Sequence, residues 1–211
     1  TSDGGYIIFG TTYSELYDSN GEDSISISDI WILKLDSSGN KIWDKKYGEL
    51  EYQSSGSIQQ TSDGGYIISC TKNGNQNGLI KLDSIGNKIW EKTYGGSGYE
   101  SLKSVKQTSD GGYIFAGSSS SSDGDISDGN NGQSDYWIIK LDSLGNKIWD
   151  KTLGGSGSEY LKSIDQTSDG GYIIAGNTES TDGDIRDGNS INGWYECWIV
   201  KLDEQGNKIW D

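Results

Sequence analysis

The chain has 211 residues, room for one sizeable domain. Its 17 basic and 32 acidic side chains leave a formal charge of −15, a field that repels phosphate backbones and anionic headgroups, which excludes nucleic acid as a partner. No apolar run approaches the ~20 residues of a membrane span, so no direct membrane insertion is expected. Without histidine there is no Ser-His-Asp triad. The two cysteines, Cys70 and Cys197, cannot make a four-ligand thiolate zinc site, and both read as small buried fillers.

The chain opens on TSDGGYII at Thr1, which returns at Thr61 and Thr167, and as TSDGGYIF at Thr108. The paired glycines supply the positive φ of a tight hairpin, and the apolar stretch behind them is a strand. A connection over roughly residues 11–28 leads to a second block, DIWILKLDSSGNKIWDKKYG from Asp29. That block is a strand, a turn and another strand. The next unit shows the full set of four short strands: SIQQ, GYIISC, GLIKLD and KIWEKTY. The second block recurs as DYWIIKLDSLGNKIWDKTLGGSG from Asp135 and as CWIVKLDEQGNKIWD from Cys197. Landmark residues Tyr6, Tyr66, Tyr113 and Tyr172, with Trp43, Trp90, Trp149 and Trp210, set the period. It runs from 47 residues (Tyr66 to Tyr113) to 61 (Trp149 to Trp210), in or just above the ~20–50 of repeat architectures.

A single four-stranded meander cannot bury both faces, whereas stacked copies can. The expected fold is therefore all-β, a β-propeller of four blade repeats, each a four-stranded antiparallel meander. The units fall at approximately 1–48, 49–95, 96–154 and 155–211 of one propeller domain or propeller segment. The first unit lacks its innermost strand. With no Met and a start inside a repeat, the chain reads as a piece of something longer.

The blocks DGGYI, W-x-x-KLD-x-x-GN-x-x-W and GGSG, in that order, resemble the bacterial SBBP-type β-propeller repeats of large secreted and cell-surface proteins. The resemblance covers nearly the whole chain. It implies a propeller, an extracellular or cell-surface location and no established catalytic activity.

In an up-and-down meander the TSDGG and LDxxGN turns share one face. The second-to-third connections and the GGSG turns share the other, and only this face varies between copies. Binding is expected there. Two of its loops are acidic: SSDGDISDGNNGQSD contains Asp123, Asp125, Asp128 and Asn130, and STDGDIRDGNSINGW contains Asp182, Asp184, Asp187 and Asn189. Such closely spaced oxygens suit Ca²⁺, the one candidate cofactor, although no Glu closes the loop as in an EF-hand. Asp and Gly also build turns and keep a loop wet without any ion.

Seven of the eight tryptophans sit at repeat positions and read as packing between blades. Trp194 is the exception. With Tyr195 beside it, Tyr13 and Tyr17 in the first loop, and Tyr99 and Tyr160 next to the GGSG turns, it completes a set of aromatic faces suited to stacking on a sugar. Asp3, Asp63, Asp110 and Asp169 are repeated turn residues with a sufficient structural role. The expected function is a non-catalytic binding or structural module that presents variable loops to a protein or glycan at the cell surface, with self-association through the open blade as a further partnership. A lectin or adhesin is the alternative, and a polysaccharide-degrading enzyme built on two carboxylates is a third reading.

Overall fold

The computed structural model describes residues 1–17, 24–48, 52–72, 76–185 and 195–211. The strands of these residues form four antiparallel sheets in chain order. The first sheet holds β1 (Tyr6–Tyr17), β2 (Ser24–Leu35) and β3 (Lys41–Tyr47). The second holds β4 (Tyr52–Gln60), β5 (Tyr66–Lys72), β6 (Gln76–Leu82) and β7 (Lys88–Tyr94). The third holds β8 (Glu100–Gln107), β9 (Tyr113–Ser119), β10 (Asp135–Leu141) and β11 (Lys147–Leu153). The fourth holds β12 (Glu159–Gln166), β13 (Tyr172–Thr178), β14 (Glu196–Leu202) and β15 (Lys208–Trp210). This is the all-β propeller architecture, and the first blade has three strands where the others have four. One expectation needs correcting. The connection placed at 11–28 is largely an extended hairpin, with β1 and β2 pairing residue by residue from Tyr6↔Leu35 to Tyr17↔Ser24. The run SISISDI has the period-two alternation that suits such a strand.

Each hairpin is built the same way. Thr61 Oγ1 donates to Asp63 Oδ1 at 2.5 Å, and Gly65 N–H donates to the same oxygen at 2.9 Å. Lys81, almost fully buried on the third strand, reaches the Asp63 carboxylate at 2.9 Å. Lys34–Asp3, Lys140–Asp110 and Lys201–Asp169 repeat the pair at 2.8, 2.8 and 3.0 Å. Burial works against ionisation of Asp63 and Asp110, yet the Thr and Lys bonds hold both near a pKa of about 2. Thr167 and Lys201 do the same for Asp169. Gly64 takes φ of 80°, which favours glycine, and a Cβ on Gly65 would lie 2.2 Å from the Leu82 carbonyl oxygen, which leaves no room for a side chain there.

The core lies between sheets. Ile30 and Ile32 of the first sheet pack with Tyr66, Ile68, Ile80 and Leu82 of the second. Ile67 and Leu79 pack with Val105, Tyr113, Phe115 and Trp137 of the third, and Ile114, Tyr136 and Ile138 pack with Ile164, Tyr172 and Trp198 of the fourth. Neighbours Ile67 and Ile68 thus point into opposite cores. This explains why GYIISC is continuously apolar instead of alternating. Each such side chain contributes about 1.5–3 kcal/mol by burial.

The junctions are also stapled. Trp43, Trp90 and Trp149 meet Tyr66, Tyr113 and Tyr172 of the following blade edge to face, with ring centroids 5.9, 5.8 and 5.9 Å apart. Tyr47 and Tyr94 donate their hydroxyls to the carbonyls of Gly86 and Gly145. Lys45 and Lys92 reach Asn87 Oδ1 and Asn146 Oδ1 at 2.7 and 2.6 Å. Trp43, Trp90 and Trp149 are packing residues, as expected. Where no neighbouring blade covers the surface, the same positions are open: Tyr6 is 54% exposed and Trp210 is 48% exposed. The reading of Cys197 as buried is corrected on the same ground. It is an exposed free thiol, because no following sheet covers its strand as one covers Ile30 and Tyr136. Cys70 is buried and free.

Candidate functional site

The variable face is organised by the GGSG turns. All four successive amides of residues 95–98 donate to side chains: Gly95 to Asp125 Oδ2 at 3.1 Å, Gly96 to Glu100 Oε2 at 3.3 Å, Ser97 to Asp123 Oδ1 at 2.7 Å and Gly98 to Ser121 Oγ at 2.7 Å. The fourth blade repeats the set on residues 154–157 with Asp184, Glu159, Asp182 and Ser180, at 3.1, 3.1, 2.7 and 2.8 Å. This is an anion nest filled by the chain's own carboxylates. Its glycines are required, because a Cβ on Gly96 would lie 2.5 Å from Asp123 Oδ1, and one on Gly155 would lie 2.5 Å from Asp182 Oδ1.

These bonds account for most of the loop acid. Asp128 pairs with Lys151 at 3.2 Å, and Asn130 is bonded to the Ser119 carbonyl and the Gly132 amide at 2.7 Å each. Asp187 and Asn189 lie outside the described residues. Among the described residues no three acidic or thiol side chains converge on a point where a metal ion could sit. Of the residues singled out for Ca²⁺, Asp123, Asp125, Asp182 and Asp184 brace the GGSG turns.

The braced turns deliver two inner strands to one cleft. Glu100 and Glu159, both fully buried, start β8 and β12, and next to them stand Tyr99 and Tyr160. Tyr99 N–H donates to Ser120 Oγ at 2.8 Å, and Ser120 N–H returns a bond to the Tyr99 carbonyl at 2.9 Å. A cleft of about 390 Å³ opens between the two strands. Tyr99, Ser101 and Lys103 line one side, and Tyr160, Leu161 and Lys162 the other. Ser118, Ser120 and Ser134 complete the lining. A recess of about 330 Å³ continues past Tyr160 to Lys162, Asn177 and Tyr195. The rings of Tyr160 and Tyr195 tilt against each other with centroids 5.5 Å apart. Hydrogen bonds to Tyr160 and then Glu179 hold the Tyr195 phenol above its ordinary pKa.

Three of the six aromatic residues singled out from the sequence therefore share one surface: Tyr99, Tyr160 and Tyr195. Tyr13 is exposed on the β1–β2 hairpin opposite Ser28 and lines neither hollow. Tyr17 ends β1 in register with Ser24. Trp194 lies outside the described residues. The sequence reading missed Lys103, Lys162, Asn177 and the serines. A signal for the lysines existed, since both occupy the first-strand position where the second unit has Gly56.

Behind the cleft wall sits a carboxyl pair. Asp135 is fully buried, with Oδ2 accepting from Asn131 N–H at 2.6 Å and Oδ1 receiving no donated hydrogen bond. Burial, reinforced by Glu159 and Asp184, pushes its pKa up to about 7. A Cβ on Gly154 would touch both carboxyls, 2.3 Å from Asp135 Oδ1 and 2.4 Å from Glu159 Oε2.

No family model matches the chain and no curated protein matches it, so the likeness to SBBP-type repeats rests on the repeat blocks themselves. Solved structures do match. A candidate exo-β-1,3-galactanase from Bifidobacterium bifidum s17 is 12% identical over 96% of this chain and 67% of its own, with a TM-score of 0.50. A GH43 β-1,3-galactosidase is 12% identical over 92% of this chain and 43% of its own, with a TM-score of 0.42. An ACO/RPE65 chimera is 15% identical over 92% and 46%, with a TM-score of 0.45. The chain spans less than half of the last two proteins. The first likeness is one of fold. It nevertheless corrects the expectation of a non-catalytic module, because the architecture occurs in a candidate galactanase and gives no ground for setting catalysis aside.

Proposed function

We propose that the chain is a carbohydrate-binding propeller module whose glycan lies in the cleft between β8 and β12. The observation that supports this reading is the convergence of Tyr99 and Tyr160 with a rim of serine hydroxyls, continued to Tyr195 and Asn177. A sugar ring offers C–H faces and equatorial hydroxyls. Tyrosine rings complement the first and serine and asparagine groups the second. Placement outside the cell or at its surface belongs to the same proposal, supported by the resemblance of the repeat blocks to those of secreted proteins.

Affinity electrophoresis against a panel of neutral and charged polysaccharides, β-1,3-galactan among them, tests the reading. Tyr160→Ala is expected to weaken binding about tenfold or more, the equivalent of ~1.4 kcal/mol. Tyr13→Ala, outside the cleft, should change nothing. No retardation by any polysaccharide would refute it.

A further inference from the structure

We propose that the glycan taken by this cleft is anionic, a polysaccharide bearing uronate carboxylates or sulfate esters that Lys103 and Lys162 recognise; this rests on the carbohydrate-binding reading above. Most lysines of the described residues pair with carboxylates, and Lys45 and Lys92 hold asparagine side chains instead. Lys34, Lys81, Lys140 and Lys201 hold the hairpin aspartates, and Lys147 and Lys208 pair with Asp150 and Asp211 three residues on. Lys103 and Lys162 break that habit. Both are exposed, both line the cleft, and among the described residues neither has a carboxylate partner. Among the described residues no acidic side chain lines the cleft with them.

Their placement is built into the strands. The β8–β9 register slips between Leu102 and Ser104, and the β12–β13 register slips between Leu161 and Ser163. Each lysine is thus the extra residue of a β-bulge, a device that redirects one side chain out of the ladder. Farther along the same two strands, Lys106 does find an acid, Asp165, at 3.7 Å. Two cations lining one cleft repel each other, and an anionic group between them relieves that repulsion. The whole-molecule charge of −15 acts in the opposite sense. At ~0.15 M salt, however, charges beyond about 8 Å are largely screened while a lysine in contact with its ligand is not. The local pair therefore decides the sign.

The test compares polygalacturonate, a sulfated galactan and neutral β-1,3-galactan by isothermal titration at about 0.15 M salt, the ionic strength at which distant charges are screened. At least one charged polymer is expected to bind about tenfold tighter than the neutral one, equivalent to ~1.4 kcal/mol. Whichever is preferred identifies carboxylate or sulfate as the group read. The double variant Lys103→Gln/Lys162→Gln should bring charged and neutral polymers to within about twofold of each other, a gap of under ~0.5 kcal/mol. Lys103→Arg/Lys162→Arg should keep the preference, which shows that charge and not folding was removed. Equal or tighter binding of the neutral polymer, or a preference that survives in the Gln variant, overturns the anionic inference alone. Failure of all three polymers overturns the carbohydrate-binding reading itself.

Discussion

Replacing Asp135 by Asn probes the junction that supports the cleft. The wild-type carboxyl is fully buried with one oxygen lacking a donated hydrogen bond, and burial followed by Glu159 raises its pKa to about 7. In the unfolded chain an aspartate returns to about 3.9. Between those values the folded state binds more protons than the unfolded one. The contribution is therefore complete below pH ~4 and disappears as pH rises through about 7. Each pH unit inside the window changes stability by up to ~1.4 kcal/mol. Going from pH 5 to pH 8 crosses roughly two such units, so the wild type should lose up to about 3 kcal/mol. Asp63, Asp110 and Asp169, held near about 2, are ionised in both states over this range and add no slope. The amide that Asp135→Asn introduces cannot ionise, and it can donate to Glu159. Urea unfolding at pH 5, 6.5 and 8 should then give a falling series for the wild type and a flatter one for the variant. Parallel series for the two proteins would refute the raised pKa of Asp135.

Two further outcomes follow from the junctions. Gly145 and Gly111 have φ of 77° and 81°, so Ala carries the same left-handed penalty of about 1–2 kcal/mol at either site. Only at Gly145 would the new Cβ meet an indole, 3.1 Å from Trp90, so Gly145→Ala should cost about 1–3 kcal/mol more than Gly111→Ala in urea unfolding; equal costs would contradict the packing role of the tryptophan. Exposed Cys197 should react with a disulfide reagent in the native protein. Cys70, its thiol pushed up to about 12 by burial, should react only on denaturation, and prompt labelling of both would contradict the assigned burial.

The architecture was legible because its signals are local and repeated. TSDGG encodes a hairpin through Gly φ and an Asp that bonds back to Gly65, and the eight-residue string carries every atom needed except the lysine. That Lys81 completes the unit is invisible from spacing alone, since β5 intervenes. The acidic loops show the opposite case. Asp123 and Asp125 look like ion ligands as a string, and only the fold reveals that residues 95–98 stand against them. For the cleft, the aromatic members were legible as departures from the repeat. Lys103 and Lys162 differ from the second unit, which has Gly56 at their position, yet that difference alone does not mark a cleft. Their significance depends on which partners they lack, a property of the assembled sheets.

Trp43, Trp90 and Trp149 enter the next blade by one common fit, so the joint is indifferent to which unit stands on either side. Tyr6 and Trp210 display the two halves of that joint as socket and plug. A unit duplicated or lost as a block leaves every remaining joint intact, and array length can drift with little cost to folding. The cleft has no such freedom. It belongs to one ordered pair of units, and recombination must carry both together or dissolve it.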